Sequence, residues 1–328
     1  MNQAGPNGSD ITLISGASVV IGRSIIAADV VVGNGHIVGI VAPDTFGSDA
    51  RPIDGRGCTL APGFVDLQLN GAAGFDFTTE PDRLPEIAAA LPRTGVTSFL
   101  PTVITSSAEQ MALAISVIGA GMRSGVAGAR PLGLHVEGPF IAGLRRGAHP
   151  ARYVRDPDAD EALRWLSTAS VALVTIAPEL PGAPELIRQL VAAGVTVSVG
   201  HTAASVAEIA VAVAAGVTGA THLFNAMGTM SAREPGPAGA RTGDGVLAGS
   251  VLRMEDAFRN LIALTGCSVA DASVAASSTP ARLLRRDDVG AIRIGARGDL
   301  VLLDDRLRVA MTMIVGIVVH DPDDRSTS

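Results

Sequence analysis

A three-residue string, Gly-Val-Thr, recurs along the middle of the chain and constrains its fold more than any other feature. The string begins at Gly95, Gly194 and Gly216, each time after an amphipathic segment and before an apolar run. A glycine at that place is typical of a helix end, and a short apolar run is typical of a strand that is buried on both faces. The recurrence therefore predicts helices that alternate with parallel strands.

Six apolar runs are candidates for the buried parallel strands of this repeat. They span residues 64–70, 98–104, 132–138, 172–177, 196–201 and 219–224. A closed (β/α) barrel of the TIM type has eight strands, and no seventh or eighth run follows residue 225. The later segments 251–264 and 269–284 have helical periodicity instead. We therefore expect an α/β fold in which a TIM-type barrel is incomplete, with six of its eight strands.

Both ends of the chain consist of short β-branched stretches that glycines interrupt. This pattern covers residues 11–53 and returns at residues 291–319, and it predicts antiparallel strands. We expect the two ends to pair in one small β-sandwich domain, made of residues 1–60 and 290–328. Residues 61–289 then form the barrel domain.

Several classes of function are excluded by what the sequence lacks. It contains no lysine, which excludes a Schiff-base lysine and the carboxylated lysine that bridges two metals in many barrel hydrolases. The net charge of -7 comes without a basic run, so no nucleic-acid partner is expected. Neither an export signal nor a long apolar run is visible, so we expect no membrane association and a cytoplasmic location.

Three side chains that can bind a metal fall at the ends of predicted strands. Glu137 ends the third run, His201 ends the fifth, and His222 lies in the sixth. Because barrel enzymes place their working residues at the carboxyl ends of strands, we expect the three to meet at one barrel mouth. Two histidines and one carboxylate, with a position left for water, are typical of a catalytic metal site. The alternative is that each histidine is only a hydrogen-bonded residue at a strand end.

The cofactor that this donor set predicts is one divalent metal ion, with zinc favoured and iron or manganese as alternatives. His135 shares a strand face with Glu137, and an internal hydrogen bond is favoured for it over metal ligation. Guanidinium groups match the geometry of phosphate, although exposed arginines are usually only solvated. Candidates for binding an anionic group are Arg145, Arg146, His149 and Arg233.

Six strings of the sequence together resemble those of a known family. They are Ala61-Pro-Gly-Phe-Val-Asp-Leu-Gln-Leu-Asn-Gly71, Leu134-His-Val-Glu-Gly-Pro-Phe140, Val199-Gly-His201, Thr221-His-Leu-Phe-Asn-Ala-Met227, Arg233-Glu-Pro-Gly236 and Leu247-Ala-Gly-Ser250. The family is that of the N-acetylglucosamine-6-phosphate deacetylases, in the amidohydrolase superfamily, and the resemblance covers almost all of the chain. It implies that Glu137, His201 and His222 hold the metal. Gln68 and Asn70 stand where many relatives have His-x-His, which implies the one-metal form of the family.

The resemblance also implies a substrate and a reaction. A small-molecule sugar phosphate, N-acetyl-D-glucosamine 6-phosphate, would react with water to give D-glucosamine 6-phosphate and acetate, in amino sugar catabolism. Arg233 is implied as a phosphate ligand that reaches across a homodimer interface. Positions that match the substrate contacts of the family are Ala148, His149, Asn225, Ala226, Arg233, Leu247, Ala248 and Gly249.

Two strings that the family has on its last barrel strands are missing from this chain. They resemble Ala-Asp-Gly-x-His on the seventh strand and Thr-Asp-Ala on the eighth, and the second supplies the aspartate that acts as the catalytic base. Here Pro237-Ala-Gly-Ala240 is followed directly by Arg241-Thr-Gly-Asp-Gly-Val-Leu247, and neither Asp244 nor Asp271 matches the lost position. We therefore assign no catalytic residue and expect impaired turnover. The alternatives are a sugar-phosphate or metal-binding protein without catalysis, and a truncated product without function.

Overall fold

The structure is a computed structural model that describes residues 11–47, 49–223, 227, 252–323 and 325, together with the backbone of 239–241 and 247–250. Among these residues, no helix is both long and apolar enough to cross a membrane. The helices and strands are given below in chain order.

The N-terminal strands are β1 (Ile11–Ser15), β2 (Ser18–Ile21), β3 (Ser24–Ala27), β4 (Asp29–Gly33), β5 (His36–Val41), β6 (Arg51–Asp54) and β7 (Thr59–Pro62). The central part continues with β8 (Phe64–Leu69), β9 (Gly71–Ala72), β10 (Phe75–Asp76), α1 (Leu84–Ala90), β11 (Val96–Ile104), α2 (Ala108–Ser124), β12 (Arg130–Pro131), β13 (Leu134–Glu137), α3 (Ala159–Thr168), β14 (Val171–Ile176), α4 (Ala183–Ala192), β15 (Thr196–Val199), α5 (Val206–Ala215) and β16 (Gly219–Ala220). The chain ends with β17 (Gly239–Arg241), β18 (Leu247–Ser250), α6 (Met254–Thr265), α7 (Val269–Ser273), α8 (Thr279–Leu283), β19 (Leu300–Leu303), β20 (Val309–Ile314) and β21 (Ile317–His320).

The central sheet confirms the incomplete barrel that the apolar runs predict. Six strands of this sheet run parallel in the order β8, β11, β13, β14, β15 and β16. The short strand β12 also pairs with β11. Within the described residues, neither β8 nor β16 has a strand on its outer side. The two ends of the sheet are therefore open where a closed barrel would have its seventh and eighth strands.

Alternation along the strands separates an apolar layer from a polar one. Leu134 and Val136 of β13 pack in the large core with the surrounding helices, as do Val174 and Ile176 of β14. The residues between them point to the other face because successive side chains of a strand alternate. That inner face holds the polar side chains of the barrel.

The last helical segment confirms the prediction for residues 269–284. α7 and α8 are joined without a break by the π-helical segment Val274–Ser278. Ser277 donates a hydrogen bond from Oγ to the carbonyl of Pro62 (3.1 Å), and Thr196 of β15 donates from Oγ1 to the carbonyl of Leu283 (3.2 Å). This helical segment thus contacts the chain beside β8 and also reaches β15.

One strand pair was not predicted by the sequence. β17 and β18 pair with each other in antiparallel fashion and form a separate two-stranded sheet. The segment around them is rich in glycine, proline and arginine, so it lacks the alternation of apolar and polar residues on which strand prediction depends.

The ends of the chain form two sheets, with the orders β5-β4-β1-β6 and β21-β20-β19-β7-β2-β3. The predicted antiparallel pairing is observed for most neighbours in these sheets, but the sheets are mixed, because β6 runs parallel to β1 and β7 runs parallel to β2. The reason is that the chain passes twice from the first sheet to the second, through β1 and β2 and again through β6 and β7. The two passages lie side by side in the same direction, joined by the hydrogen bond from Gly55 N to Ser15 O (2.8 Å).

The two sheets enclose a core of their own. Ile14 and Val30 from the first sheet pack with Leu300 and Leu302 from the second. Val301 points the opposite way and joins the core around the barrel helices. The predicted pairing of the two chain ends is therefore observed, whereas the domain boundaries at residues 60 and 290 stay a prediction.

Two glycines of the Gly-Val-Thr strings offer a matched test of the helix ends. Gly95 and Gly194 both have positive φ, +78° and +86°, but an added Cβ at Gly95 would lie 2.8 Å from the Phe64 ring, whereas at Gly194 it would meet nothing within 4 Å. Both alanine variants should lose about 1–2 kcal/mol for the left-handed conformation. Gly95→Ala should lose about 1–3 kcal/mol more for overpacking, since Phe64 is fully buried and stacks on Phe258.

Urea unfolding of the two variants measures this difference directly. Equal free energies of unfolding for Gly95→Ala and Gly194→Ala would show that overpacking against Phe64 does not destabilise the alanine at position 95.

Candidate metal centre

The centre is built around the carboxylate of Glu137 at the end of β13. This side chain is only 1% exposed, and its Oε1 lies 3.1 Å from His201 Nε2 and 2.9 Å from His222 Nε2. One ligand atom from each of the three residues lies within 4.8 Å of the others. The structure therefore brings together the three residues that the sequence proposes as metal ligands.

The two histidines sit where β15 and β16 have just ended, and both adopt a left-handed backbone. His201 has φ +50° and His222 has φ +55°, a conformation that is uncommon outside glycine and costs about 1–3 kcal/mol. Surrounding contacts hold His201 in place: its carbonyl accepts a hydrogen bond from Ala142 N (2.9 Å). Glu179 accepts hydrogen bonds from the Thr202 hydroxyl and the Ala203 backbone just after it. Strain of this kind is concentrated at functional sites.

The tautomer of His201 leaves room for a proton or a cation between its Nε2 and Oε1 of Glu137. Its Nδ1 lies 2.9 Å from the carbonyl of Arg145, and because a carbonyl can only accept, Nδ1 carries a proton. In the neutral ring, Nε2 then presents a lone pair to Glu137 Oε1. Two acceptors face each other across 3.1 Å only with a proton or a cation to join them. A metal-binding histidine is commonly oriented by this kind of hydrogen bond to a carbonyl.

Electrostatics at the centre favour an ionised carboxylate. Burial by itself raises the pKa of Glu137, but the surrounding imidazoles of His201, His222, His149 and His135 together outweigh it and hold that pKa well below the ordinary value of 4.5. The hydrogen bond to Glu137 in turn raises the pKa of His222 above its ordinary 6.5, against the opposing effect of burial. An anionic oxygen ligand is thus present between two imidazoles.

Gln68 and Asn70 complete the side of the centre that faces β8. Gln68 Nε2 donates to Glu137 Oε2 (2.8 Å) and to Asn70 Oδ1 (3.0 Å). Its Oε1 is buried and, among the described residues, has no hydrogen-bond donor. If Oε1 and Nε2 of Gln68 were exchanged, Oε1 would face the carboxylate oxygen of Glu137 and the two oxygens would repel each other. The orientation with Nε2 toward Glu137 is therefore the favourable one. A buried carbonyl oxygen without a donor indicates that water or a cation belongs beside it.

His149 adds a third imidazole to the centre. It is 4% exposed, its Nδ1 lies 2.7 Å from Thr105 Oγ1, and its Nε2 lies 3.8 Å from Glu137 Oε2. The ring meets that of His201 edge to face at 4.5 Å. Burial lowers the pKa of His149 to about 4. The ring is therefore neutral near pH 7 and can either donate or accept one hydrogen bond toward the barrel mouth.

His135 lies on the inner face of β13 and is fully buried. Its Nδ1 lies 3.1 Å from the carbonyl of Leu67, and its Nε2 lies 2.8 Å from Thr175 Oγ1. Burial lowers the pKa of His135 to about 4. The structure thus places it in internal hydrogen bonds, the role that the sequence favours, and not in the triad.

The other candidates from the sequence fall into three groups. Arg146 donates to the carbonyls of Gly147 and His149, so its guanidinium is folded onto its own loop, and Ala148 lies half-buried in the same loop. Asp271 lies on α7 and pairs with Arg23 (2.8 Å). Asn225, Ala226 and Arg233 lie outside the described residues, and of Leu247, Ala248 and Gly249 only the backbone, in β18, is described.

Sequence reasoning missed the hydroxyl groups that surround the centre. Thr105 contacts His149, and Thr175 contacts His135. Ser198 and Thr221 continue from Thr175. One signal was present: Thr175 is the single polar residue of β14, and in β15 Thr196 and Ser198 alternate with two valines, as expected where one face of a strand is polar.

Parallel strands of a (β/α) barrel that carry Glu137 and two histidines at their carboxyl ends define the class as the amidohydrolase superfamily. No family model matches the sequence. The deacetylase of Mycobacterium smegmatis, solved as an aspartate-to-alanine mutant in complex with N-acetyl-D-glucosamine-6-phosphate, superposes with a TM-score of 0.84 at 30% identity, over 95% of this chain and 100% of that one.

Two curated relatives are similar at the level of sequence. The N-acetylglucosamine-6-phosphate deacetylase of Homo sapiens is 31% identical over 405 residues, which covers 98% of each chain. The N-acetylgalactosamine-6-phosphate deacetylase of Shewanella sp. is 30% identical over 334 residues, 81% of this chain and 84% of the relative. The chain therefore belongs to the N-acetylglucosamine-6-phosphate deacetylase family.

The alignment with the human relative is longer than this chain. An alignment of 405 positions exceeds the 328 residues of this chain. Part of the human protein therefore has no counterpart here.

The two buried neutral histidines predict how stability depends on pH. Between their ordinary pKa of 6.5 and about 4, His135 and His149 stay neutral in the folded protein but take up protons in the unfolded chain. The unfolded state then binds more protons, so the free energy of unfolding rises with pH through this range, by up to about 2–3 kcal/mol per pH unit. It should fall as the pH is lowered from about 6.5 to about 5.

Urea unfolding at several pH values in the presence of a chelator measures this slope. His149→Asn should remove about half of it, because one of the two rings is lost. The raised pKa of His222 acts above pH 6.5, outside the window. An identical slope in the variant would contradict a neutral His149.

Proposed function

We propose that this chain binds one divalent metal ion through Glu137, His201 and His222 and acts on N-acetyl-D-glucosamine 6-phosphate as an amide hydrolase with impaired turnover. The observation that supports it most is the convergence of one ligand atom from each residue within 4.8 Å. These atoms come from three separate strand ends, far apart in the chain. A hydrogen-bonding role at a strand end, the alternative for each histidine alone, does not require them to meet.

The set of ligand atoms fits a divalent transition-metal ion such as zinc. One carboxylate and two imidazoles are the ligands of catalytic zinc sites, and iron and manganese accept the same set. The lone pair of His201 Nε2 that faces Glu137, and the carbonyl oxygen of Gln68 without a donor, both fit a cation and its water in this place. When bound, the ion would supply the Lewis acidity that polarises an acetamide carbonyl.

Residues of the chain itself would bind and orient the sugar phosphate. His149 offers one ring nitrogen at the mouth, beside Glu137, and Ala148 precedes it in the same loop. By resemblance, Arg233 would bind the phosphate, with a bidentate guanidinium contact that suits this group. The same resemblance supports a homodimer. The remaining proposed contacts are Asn225, Ala226, Leu247, Ala248 and Gly249.

We propose that this chain differs from its relatives in the group that accepts the proton during the reaction. Among the described carboxylates, Glu137 alone belongs to the cluster with His201 and His222, and as a metal ligand it is not free to take a proton. We place the missing family aspartate in the part of the relatives without a counterpart here, between Ala240 and Arg241. Loss of a general base typically lowers the rate by about 10²–10⁴-fold.

A second candidate function is binding of the sugar phosphate without catalysis. The solved relative from Mycobacterium smegmatis is an aspartate-to-alanine mutant in complex with N-acetyl-D-glucosamine-6-phosphate. That relative, with one aspartate replaced by alanine, still held the ligand. The same separation of binding from turnover would suit a chain that keeps the metal ligands but lacks the base.

Acetate release by purified, zinc-loaded protein tests the proposal. With N-acetyl-D-glucosamine 6-phosphate we expect kcat to be about 10²–10⁴-fold below that of the intact human relative, for want of the base. The galactosamine epimer serves as the comparison substrate. His222→Ala should abolish the residual activity and weaken zinc binding by more than the roughly 10–100-fold that is typical of a group that only orients a ligand.

Calorimetry with the same sugar phosphate separates the outcomes. Binding without acetate release would favour the second candidate function. Release at the rate of the intact relative would contradict the argument from the missing base, and Asp244 would then be the first carboxylate to replace. If the protein neither binds the sugar phosphate at millimolar concentration nor releases acetate from it, the remaining interpretation is a truncated product without function.

A further inference from the structure

A continuous series of buried hydrogen bonds crosses the barrel interior beneath the metal centre. We call His135, Thr175, Thr221 and Ser198 the polar belt. His135 Nε2 lies 2.8 Å from Thr175 Oγ1, which lies 2.8 Å from Thr221 Oγ1, which lies 2.7 Å from Ser198 Oγ. The belt therefore joins β13, β14, β15 and the residue that follows β16.

The carbonyl of Leu67 gives the belt a single direction. It can only accept, so His135 Nδ1, 3.1 Å away, donates to it. The neutral ring then accepts the Thr175 hydroxyl proton at Nε2, and the Thr175 oxygen accepts the proton of Thr221. Ser198 donates to Thr221 in turn. Because each hydroxyl has one proton, every rotor in the series is fixed by its neighbour.

Three members of the belt lie beside a proposed metal ligand, and the fourth, Ser198, lies beside Thr175. His135 lies two residues before Glu137 on the same strand face, and Thr221 directly precedes His222. Thr175 pairs with Glu137 across the ladder between β13 and β14 and with Ser198 across the ladder between β14 and β15. A shift of His135, Thr175 or Thr221 would therefore be transmitted to a ligand through the adjoining backbone, and a shift of Ser198 would be transmitted through Thr175.

The backbone ladder by itself constrains His222 weakly. β16 is only two residues long and, in the described structure, pairs with β15 alone. His222 lies beyond its end, with a left-handed φ of +55°, and 39% of its side chain is exposed. The nearest fixed points are the bonds of Thr221, whose N–H donates to Val199 O (2.8 Å) and whose hydroxyl belongs to the belt.

Burial makes the belt bonds difficult to replace. The exposed fractions of His135 and Thr175 are 0%, that of Ser198 is 3% and that of Thr221 is 9%. Water cannot readily substitute for a lost partner at such depth, so removing one hydroxyl leaves the next polar group unsatisfied. The belt thus favours one arrangement of the strand ends over others.

We propose that the polar belt positions the metal ligands, with Thr175 as its central positioning residue: it holds Glu137 and His222 at the separation that a single ion requires. This inference rests on the proposed metal site. It assigns to Thr175, Thr221, Ser198 and His135 a role that is separate from contact with the ion or substrate.

The test removes the hydroxyl of Thr175 and keeps the volume of the side chain nearly unchanged. Thr175→Val removes both belt bonds of that residue, and Thr175→Ser restores the hydroxyl. Thr97→Val is the matched control: Thr97 is a fully buried strand threonine of β11 whose hydroxyl contacts only the carbonyl of Phe64 (3.4 Å) among the described residues. Zinc affinity is measured by competition with a chelator, and stability by urea unfolding.

We expect Thr175→Val to weaken zinc binding by about 10–100-fold, the range typical of residues that orient metal ligands. Thr175→Ser should recover most of the affinity, and Thr97→Val should keep it whatever its stability. The visible spectrum of bound Co²⁺ should change only in Thr175→Val, because it reports ligand geometry. Unchanged zinc affinity and an unchanged Co²⁺ spectrum in Thr175→Val would overturn the proposal, even if that variant were less stable.

Crystal structures of the metal-free wild type and variants provide a readout that needs no ion. A longer separation between Glu137 Oε1 and His222 Nε2 in Thr175→Val, but not in Thr97→Val, supports the belt, and an unchanged separation overturns it. If the wild type binds no zinc, the proposed function fails while this comparison still decides the belt. Should Thr175→Val not fold, Ser198→Ala, which removes only the last bond, replaces it in every measurement.

Discussion

The architecture of the centre depends on one buried charge. An ionised carboxylate that is 1% exposed is tolerated only when its oxygens are fully engaged, since the cost of removing it from water is otherwise several kcal/mol. Glu137 meets this condition because one oxygen lies beside the Nε2 atoms of His201 and His222 and the other accepts from Gln68. Four strand ends are thereby tied to one side chain, and the hydrogen bonds that keep its pKa low are the same contacts that gather the proposed ligands.

The open barrel places a second demand on the same region. A closed barrel has no strand edges, whereas β8 and β16 here have neighbours on one side only within the described residues. The helical segment from α7 to α8 occupies part of this opening, because Ala281 packs on Val65 of β8 and Ser277 bonds beside it. At the other edge, the described contacts that fix the end of β16 are the backbone bond from Thr221 N to Val199 O and the side-chain bonds of Thr221 and His222.

The features that sequence could predict are those that local pattern or strand direction determines. Apolar runs bounded by glycine gave the barrel strands, and the rule that parallel strands end at one mouth brought Glu137 together with His201 and His222. The parallel pairing of β6 with β1 was missed because it depends on how the chain turns between two sheets. Thr175 was missed for a different reason: threonine is common in strands by propensity alone, so a single one does not reveal that its hydroxyl has a fixed partner.

The order of the ligands along the chain separates two properties that intact relatives combine. Glu137, His201 and His222 all precede the position at which we place the missing segment, and so do Gln68 beside Glu137 and the polar belt beneath the ligands. Under the proposed function, the geometry for an ion is therefore complete before the chain departs from its relatives. The resemblance implies that the group that accepts a proton comes from the eighth strand, so this group would have no such independence. Under the proposed function, the chain would keep the electrostatic part of the site and lose its acid–base part, so that ion affinity and turnover would respond to different residues.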